Sequence, residues 1–125
     1  MAALPDIYFS EGAIQTIIRS GMDLSIMVLG MTFILILGEI DVSAASIMLV
    51  SAMVIGLSCG AGVPEPVAII LGIIAGGACG LINGLLVSLL NMPSVIVTIA
   101  TSMLFRGLVR VVLKDSYLNT FPDFF

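Results

Sequence analysis

Two carboxylates lie close together in the stretch Gly38-Glu39-Ile40-Asp41-Val42-Ser43, between apolar runs that are each nearly long enough to cross a bilayer. On insertion scales an aspartate at the membrane centre costs about 2.5–3.5 kcal/mol, and a buried pair roughly twice that. Carboxylates so placed need a membrane face, a hydrated cavity or nearby partners, and any of these would serve a route through the membrane. A blander reading fits the same residues. Gly38 can end one helix while Asp41 or Ser43 N-caps the next, with the carboxylate favoured by the helix dipole. Both readings stand on the motif alone.

A second polar series runs Ser94, Thr98, Ser102, Arg106, Arg110 and Lys114, each four residues from the last, with Thr101 widening it near the centre. On a helix such a series drifts by about 40° per step and forms an inclined ridge. Its serines and threonines can satisfy their hydroxyls on the preceding turn. Arg106 cannot, and needs water, a lipid phosphate or a carboxylate; Glu39 and Asp41 are chemically suitable partners. Asn83 sits alone between Gly80 and Gly84, where it can join two helices by a hydrogen bond worth about 0.6–2 kcal/mol, or contact a solute. The candidate pathway or gating residues are thus Glu39, Asp41, Ser43, Asn83, Thr98, Ser102 and Arg106.

Small residues mark the expected packing faces. Gly72, Gly76, Gly80 and Gly84 recur at four-residue spacing, and Ala52, Gly56 and Gly60 form a similar ridge in the preceding run. Such ridges let helix backbones approach closely. Across Pro64-Glu65-Pro66 the two runs should be antiparallel, placing Gly56 and Gly76 at similar depth, so the ridges are predicted to face each other.

The elements that must position these residues are membrane helices. Of 125 residues, 60% are hydrophobic and 10% charged, with a mean hydropathy of +1.29, against about a quarter charged in soluble domains. The expected fold is all-α, a polytopic transmembrane helix bundle formed by residues 1–125 as a partial transmembrane domain. Three spans are expected at about 20–38, 42–63 and 67–90, with a fourth, full or partial, at 94–113. Residues 1–12 read as extended or interfacial, and the tail from Asp115 as aqueous or interfacial. The N-terminus lacks the basic region of a secretory signal, so the spans themselves should drive insertion. With an even number of spans and basic residues only near the ends, both termini would face the cytoplasm; an additional upstream span would invert this.

Several function classes are excluded or disfavoured. The net charge of −4 is spread thinly, and four basic residues make no phosphate-tracking surface, so no nucleic-acid partner is expected. The chain has no histidine, which removes the commonest metal ligand and general base, and no catalytic set or cofactor is expected. No GxxxxGK[ST] phosphate loop is present. Cys59 and Cys79 lie in apolar runs and read as packing residues.

Three stretches, in order and register, resemble one family. Gly38-Glu39-Ile40-Asp41-Val42-Ser43-Ala44-Ala45-Ser46 is similar to the "GGIDLSVGS" signature of bacterial ABC-importer permeases for monosaccharides. Gly80-Leu81-Ile82-Asn83-Gly84-Leu85-Leu86-Val87 resembles that family's "GLINGLLV" segment. Pro93 to Thr98 with Phe105-Arg106-Gly107-Leu108 is similar to its "PxFIVTLxT…RGL" stretch. The similarity runs from about residue 14 onward, and the family includes permeases for ribose, xylose, arabinose, galactose, rhamnose and the autoinducer-2 signal.

The resemblance implies a non-enzymatic, multi-pass subunit of the bacterial inner membrane that moves a monosaccharide or related small polar solute. Its implied partners are an ABC ATPase subunit, a periplasmic sugar-binding protein, a second permease subunit in a homo- or heterodimer, and membrane lipid. Glu39 stands where the family usually has glycine, and Ala45 where glycine commonly follows; this departure points to a substrate unlike ribose, with a rhamnose-type permease as the expectation. The chain is shorter than family members and carries no ATPase-coupling loop, as expected of a fragment. Two alternatives use the same residues: a small self-assembling channel or holin-like oligomer built on the glycine ridges, and an ion-coupled carrier with Glu39, Asp41 and Arg106 as a relay.

Overall fold

A computed structural model describes residues 11–114, and the elements among them are four α-helices. They are α1 (Glu11–Ile36), α2 (Ala44–Gly60), α3 (Glu65–Leu90) and α4 (Ser94–Leu113). The expected all-α membrane architecture is thus what forms. Residues 1–10 and the expected interfacial tail from Asp115 lie outside the described residues. Three helices are long and apolar enough to cross a membrane: Gly12–Ile36 within α1, then α3 and α4. The shorter apolar helix is α2, with 17 residues. The element expected as a full or partial span, α4, is among the three, and the shorter helix is the second.

The chain divides into two units, Met1–Glu39 and Ile40–Phe125. In the first, α1 begins at Glu11, so the helix extends ahead of the membrane span expected from about Ser20. None of its apolar window is buried. The helix closes through Gly38, which takes a left-handed φ of +76°. Gly38 N–H donates to Leu35 O and Glu39 N–H to Ile34 O, at 3.0 and 3.2 Å, the paired bonds of a Schellman ending.

In the second unit α2 packs most extensively against α3, then against α4, while α3 and α4 touch least. The run expected to continue from Val42 to Val63 is helical only from Ala44 to Gly60. Its end comes before the prolines, because Gly62 turns left-handed at φ +81° and Val63 N–H reaches back to Ser58 O at 3.0 Å. At about 1.5 Å per residue α2 measures roughly 25 Å, short of a hydrocarbon core of about 30 Å. Pro64 then caps α3, whose second residue is Pro66, and the left-handed Asn91 ends it. α4 begins directly after Pro93, as the turn residues predict.

The interior of this unit is unusually polar. Ser43, Ser46, Asn83, Ser94, Thr98, Thr101 and Ser102 are buried beside Val50, Met53, Cys79, Val97, Phe105 and Val109. Large apolar side chains such as Ile73, Leu89, Met103 and Val111 point outward. Lipid is as apolar as leucine, so in a bilayer apolar burial does not drive helices together; close packing and interhelical hydrogen bonds do.

The glycine ridges do not meet each other. A Cβ added at Gly72 would lie 2.5 Å from Ile55 Cγ1 and 3.2 Å from Ser51 O, and one at Gly76 would lie 2.6 Å from Ser51 Oγ and 3.6 Å from Ile47 Cγ2. The α3 glycines therefore receive the Ile47–Ser51–Ile55 face of α2, not Ala52, Gly56 and Gly60. Gly80 and Gly84 have open space where a Cβ would stand. The ridge of α3 is used over its first half only.

Candidate functional site

The non-helical segment Ile40–Ser43, between α1 and α2 in sequence, carries backbone groups that no helix satisfies and that need partners elsewhere. The polar ridge of α4 meets this need. Ile40 N–H donates to Ser94 Oγ and Val42 N–H to Thr98 Oγ1, both at 3.2 Å. Thr98 Oγ1 has one hydrogen to share between Ile40 O at 3.5 Å and Val95 O of its own helix at 3.4 Å, and Ser102 Oγ donates to Val42 O at 3.1 Å. The match has a simple metric origin. Four residues of helix rise about 6 Å, close to the advance of two residues of extended chain. A hydroxyl every fourth position of α4 can therefore serve every second residue of the segment. Thr101, off this ridge, bonds its own helix instead, at Val97 O and Thr98 O.

The ladder continues into a chain of side chains. Ser102 commits its only hydrogen to Val42 O, so Ser46 Oγ, 3.0 Å away, is the donor to Ser102 Oγ. Ser46 Oγ in turn accepts from Arg106 Nε at 3.1 Å. Asp41, one of the two carboxylates considered as partners for Arg106, is not hydrogen-bonded to it. The guanidinium is held by a serine that sequence reasoning passed over, although Ser46 sits one helical turn after Ser43 in the same motif.

Asp41 is engaged elsewhere. Its Oδ1 accepts from both Ser43 N–H and Ser43 Oγ at 2.6 Å. Ser43 O accepts from Ser46 N–H and Ile47 N–H at 2.8 and 2.9 Å, which starts α2. Ser43 thus occupies the N-cap position, yet its side chain makes no capping bond, and Asp41 holds the cap residue itself rather than α2. From α3, Asn83 Nδ2 donates to Ser43 Oγ at 2.7 Å. Because the Ser43 hydrogen goes to Asp41, only the amide nitrogen of Asn83 can face Ser43. Asn83 Oδ1 is buried without a hydrogen-bond partner, at a cost of about 1–3 kcal/mol if left dry.

The structure therefore gathers Asp41, Ser43 and Asn83 in one network and Thr98, Ser102 and Arg106 in another, with the Ile40–Ser46 stretch joining them. Glu39 belongs to the first unit, where its N–H closes α1. Beside the second network a half-open cavity of about 160 Å³ is lined by Val42, Ile99, Ser102, Met103 and Arg106. Among the described residues no group of histidine, cysteine and carboxylate side chains could hold a metal ion.

The autoinducer 2 import system permease protein LsrC of Photorhabdus luminescens is 33% identical over 116 residues, covering 93% of this chain and 35% of that protein. The corresponding protein of Salmonella typhi is 29% identical over 122 residues, with 98% and 35% covered. That of Yersinia pestis (strain Pestoides F) is 29% identical over 115 residues, with 92% and 33% covered. The chain thus spans about a third of the length of these relatives. No solved structure matches it. Residues 13–122 match the model of the branched-chain amino acid transport system permease component family, and the chain belongs to that family, a multi-pass protein of the bacterial inner membrane.

Proposed function

We propose that this chain forms part of the solute pathway of an ABC importer permease, and that the solute is a monosaccharide or a related small polar molecule of the autoinducer 2 class. The observation that carries the reading is the buried hydroxyl ladder of α4, which keeps the Ile40–Ser43 segment unwound inside an apolar scaffold. Non-helical backbone at membrane depth is tolerated where protein buries it or where it lines a hydrated cavity. Transporters use such breaks to bring polar backbone to a solute. The names of the relatives point to autoinducer 2 and lend the rhamnose expectation no support.

In this reading Asp41, Ser43, Asn83, Thr98 and Ser102 are positioning residues that hold the break, while Arg106 carries the charge beside it. The partners are an ABC ATPase, a periplasmic solute-binding protein and a second permease subunit. An ion-coupled relay is less well supported: Asp41 Oδ1 is committed to Ser43 and Arg106 Nε to Ser46, with no hydrogen bond between the two charged groups.

The test is co-purification with an ATPase subunit and measurement of ATP turnover on adding binding protein loaded with autoinducer 2, ribose or rhamnose. Turnover should rise with the autoinducer-2-loaded protein, and Thr98→Val should weaken that coupling. A turnover indifferent to every loaded binding protein would refute the importer reading.

A further inference from the structure

We propose that the cavity beside Arg106 is a contact point for the carried solute, which rests on the importer reading. There the two Nη groups of Arg106 donate to a pair of adjacent hydroxyl oxygens of a sugar-like solute, and Ser102 Oγ accepts a hydrogen from one of them. Ile99, Ser102, Met103 and Arg106 fall between the sixth and the thirteenth of the 20 residues of α4. They lie at the middle of a helix long and apolar enough to cross the membrane. A fixed positive charge at that depth is costly and faces a polar cavity or a partner. Helical side chains lean toward the N-terminus. Ser46 Oγ, which holds Arg106 Nε at 3.1 Å, also bonds Ser102 Oγ, so the guanidinium is drawn back toward the level of Ser102. That hold fixes the plane of the group. Its two Nη groups make no hydrogen bond, which leaves four donors in a rigid fork.

The count of donors and acceptors selects the occupant. Two acceptor oxygens side by side match the fork, and a carboxylate, a phosphate or a pair of adjacent hydroxyls supplies them. Ser102 separates these. Its hydrogen goes to Val42 O and one lone pair takes the Ser46 hydrogen, so one lone pair remains to accept. A hydroxyl pair can give a hydrogen to Ser102 while receiving from the arginine; an ionised carboxylate has none to give. Val42, Ile99 and Met103 supply an apolar wall, suited to the carbon-bound hydrogens on one face of a sugar ring. At about 160 Å³ the cavity is smaller than the roughly 300–1,000 Å³ of sites for drug-sized ligands, on the scale of one monosaccharide. Val42 belongs to the non-helical segment, and transporters place solutes beside such breaks.

The chain, purified in detergent, would be probed by saturation-transfer NMR. The probes are ribose, anhydroerythritol (a ring ether with two adjacent hydroxyls) and the same ring ether with a single hydroxyl. The wild type should bind ribose and anhydroerythritol about tenfold more tightly than Arg106→Gln, the loss expected for hydrogen bonds to a charged group. Arg106→Lys should be intermediate, because it keeps the charge and loses the fork. Ser46→Ala, which frees the guanidinium plane, should also weaken binding, and Ser46→Thr, which keeps the hydroxyl, should restore it. Arg110→Gln, outside the cavity, should stay near wild type. Met103→Trp, which narrows the cavity and keeps the arginine, should lose the probes, so the result does not rest on the charge variant alone. Equal binding of anhydroerythritol and its single-hydroxyl analogue overturns recognition of a hydroxyl pair. Displacement of ribose by equimolar acetate overturns the solute class in favour of an anion. Equal losses in Arg106→Gln and Arg110→Gln overturn the site in favour of a diffuse basic surface. If ATP turnover answers to a loaded binding protein while wild type and Arg106→Gln bind ribose equally, this contact alone is overturned. Turnover indifferent to every loaded binding protein overturns the importer reading and this contact's place in it.

Discussion

α1 and the unit from Ile40 onward contain the same residue types and use them differently. In α1 the hydroxyls of Thr16, Ser25 and Thr32 donate to carbonyls four residues back, at Gly12, Gly21 and Val28. In the second unit Ser46, Thr98 and Ser102 bond to groups on other segments, and Ser43 and Ser94 accept from such groups, while only Ser88 and Thr101 turn wholly back to their own helices. The glycines divide in the same way. Gly12, Gly21 and Gly30 have open space around a hypothetical Cβ, whereas Gly72 and Gly76 have neighbouring helix atoms where a Cβ would go. A small or hydroxylated residue in a membrane helix therefore acquires a role only when an unsatisfied backbone group or a second helix lies within reach. Otherwise its hydroxyl returns to its own helix.

Glycine substitutions should break this comparison most visibly. Gly72→Leu puts atoms where Ile55 and the Ser51 carbonyl already stand, and overpacking of this kind costs about 1–3 kcal/mol or more. It should lower the midpoint of unfolding in SDS titration followed by circular dichroism, while Gly21→Leu and Gly30→Leu in α1 leave it nearly unchanged. A similar response in both helices would erase the distinction.

Asp41→Ala should come next. It strips the acceptor from the buried N–H and hydroxyl of Ser43, a loss of about 1–3 kcal/mol, whereas Asp41→Asn keeps an oxygen in place and should retain most of the stability. The same titration reads both variants. Full destabilisation by Asp41→Asn would show that the charge, not the acceptor, holds Ser43.

Thr98→Val should have a more local effect. Ile40 and Val42 lie outside any helix, yet their amides should exchange slowly with deuterium. Removing the hydroxyl should raise exchange at Val42 by about tenfold, corresponding to about 1.4 kcal/mol. Thr32→Val in α1 should leave exchange at its own position within about twofold, since only a back-bond is lost. Smallest of all, Asn83→Leu removes the donor to Ser43 and at the same time the unpartnered Oδ1, so its net cost should stay under about 1 kcal/mol in the SDS titration. A larger loss would mean that Oδ1 has a partner in the membrane, such as a bound water.

Much of the fold was legible because its signals are local. The left-handed Gly38, the Pro93 start of α4 and the apolar lengths of α1, α3 and α4 follow from side-chain geometry within a few residues. The ends of α2 were misjudged for a physical reason. Apolar character runs on through Val42 and Val63, but backbone at the first is claimed by Thr98 and Ser102, and the second is pulled into the Gly62 turn. Residue type does not reveal where a backbone donor goes when its partner is more than fifty positions away. The site divides likewise. The four-residue spacing of Ser94, Thr98, Ser102 and Arg106 was visible; that it is a backbone clamp was not.

The sequence by itself determined a polytopic helical membrane protein, the turns at Gly38 and Pro93, and the motifs that place it in a permease family. These rest on hydropathy, on turn chemistry and on spacing along one chain. Tertiary structure alone decided that Arg106 turns to Ser46 and not Asp41, that Asn83 holds Ser43, and that Gly72 and Gly76 receive Ile47, Ser51 and Ile55. Those choices depend on how α2, α3 and α4 rotate and cross, because rotating a helix changes which of its equally plausible polar faces meets a partner.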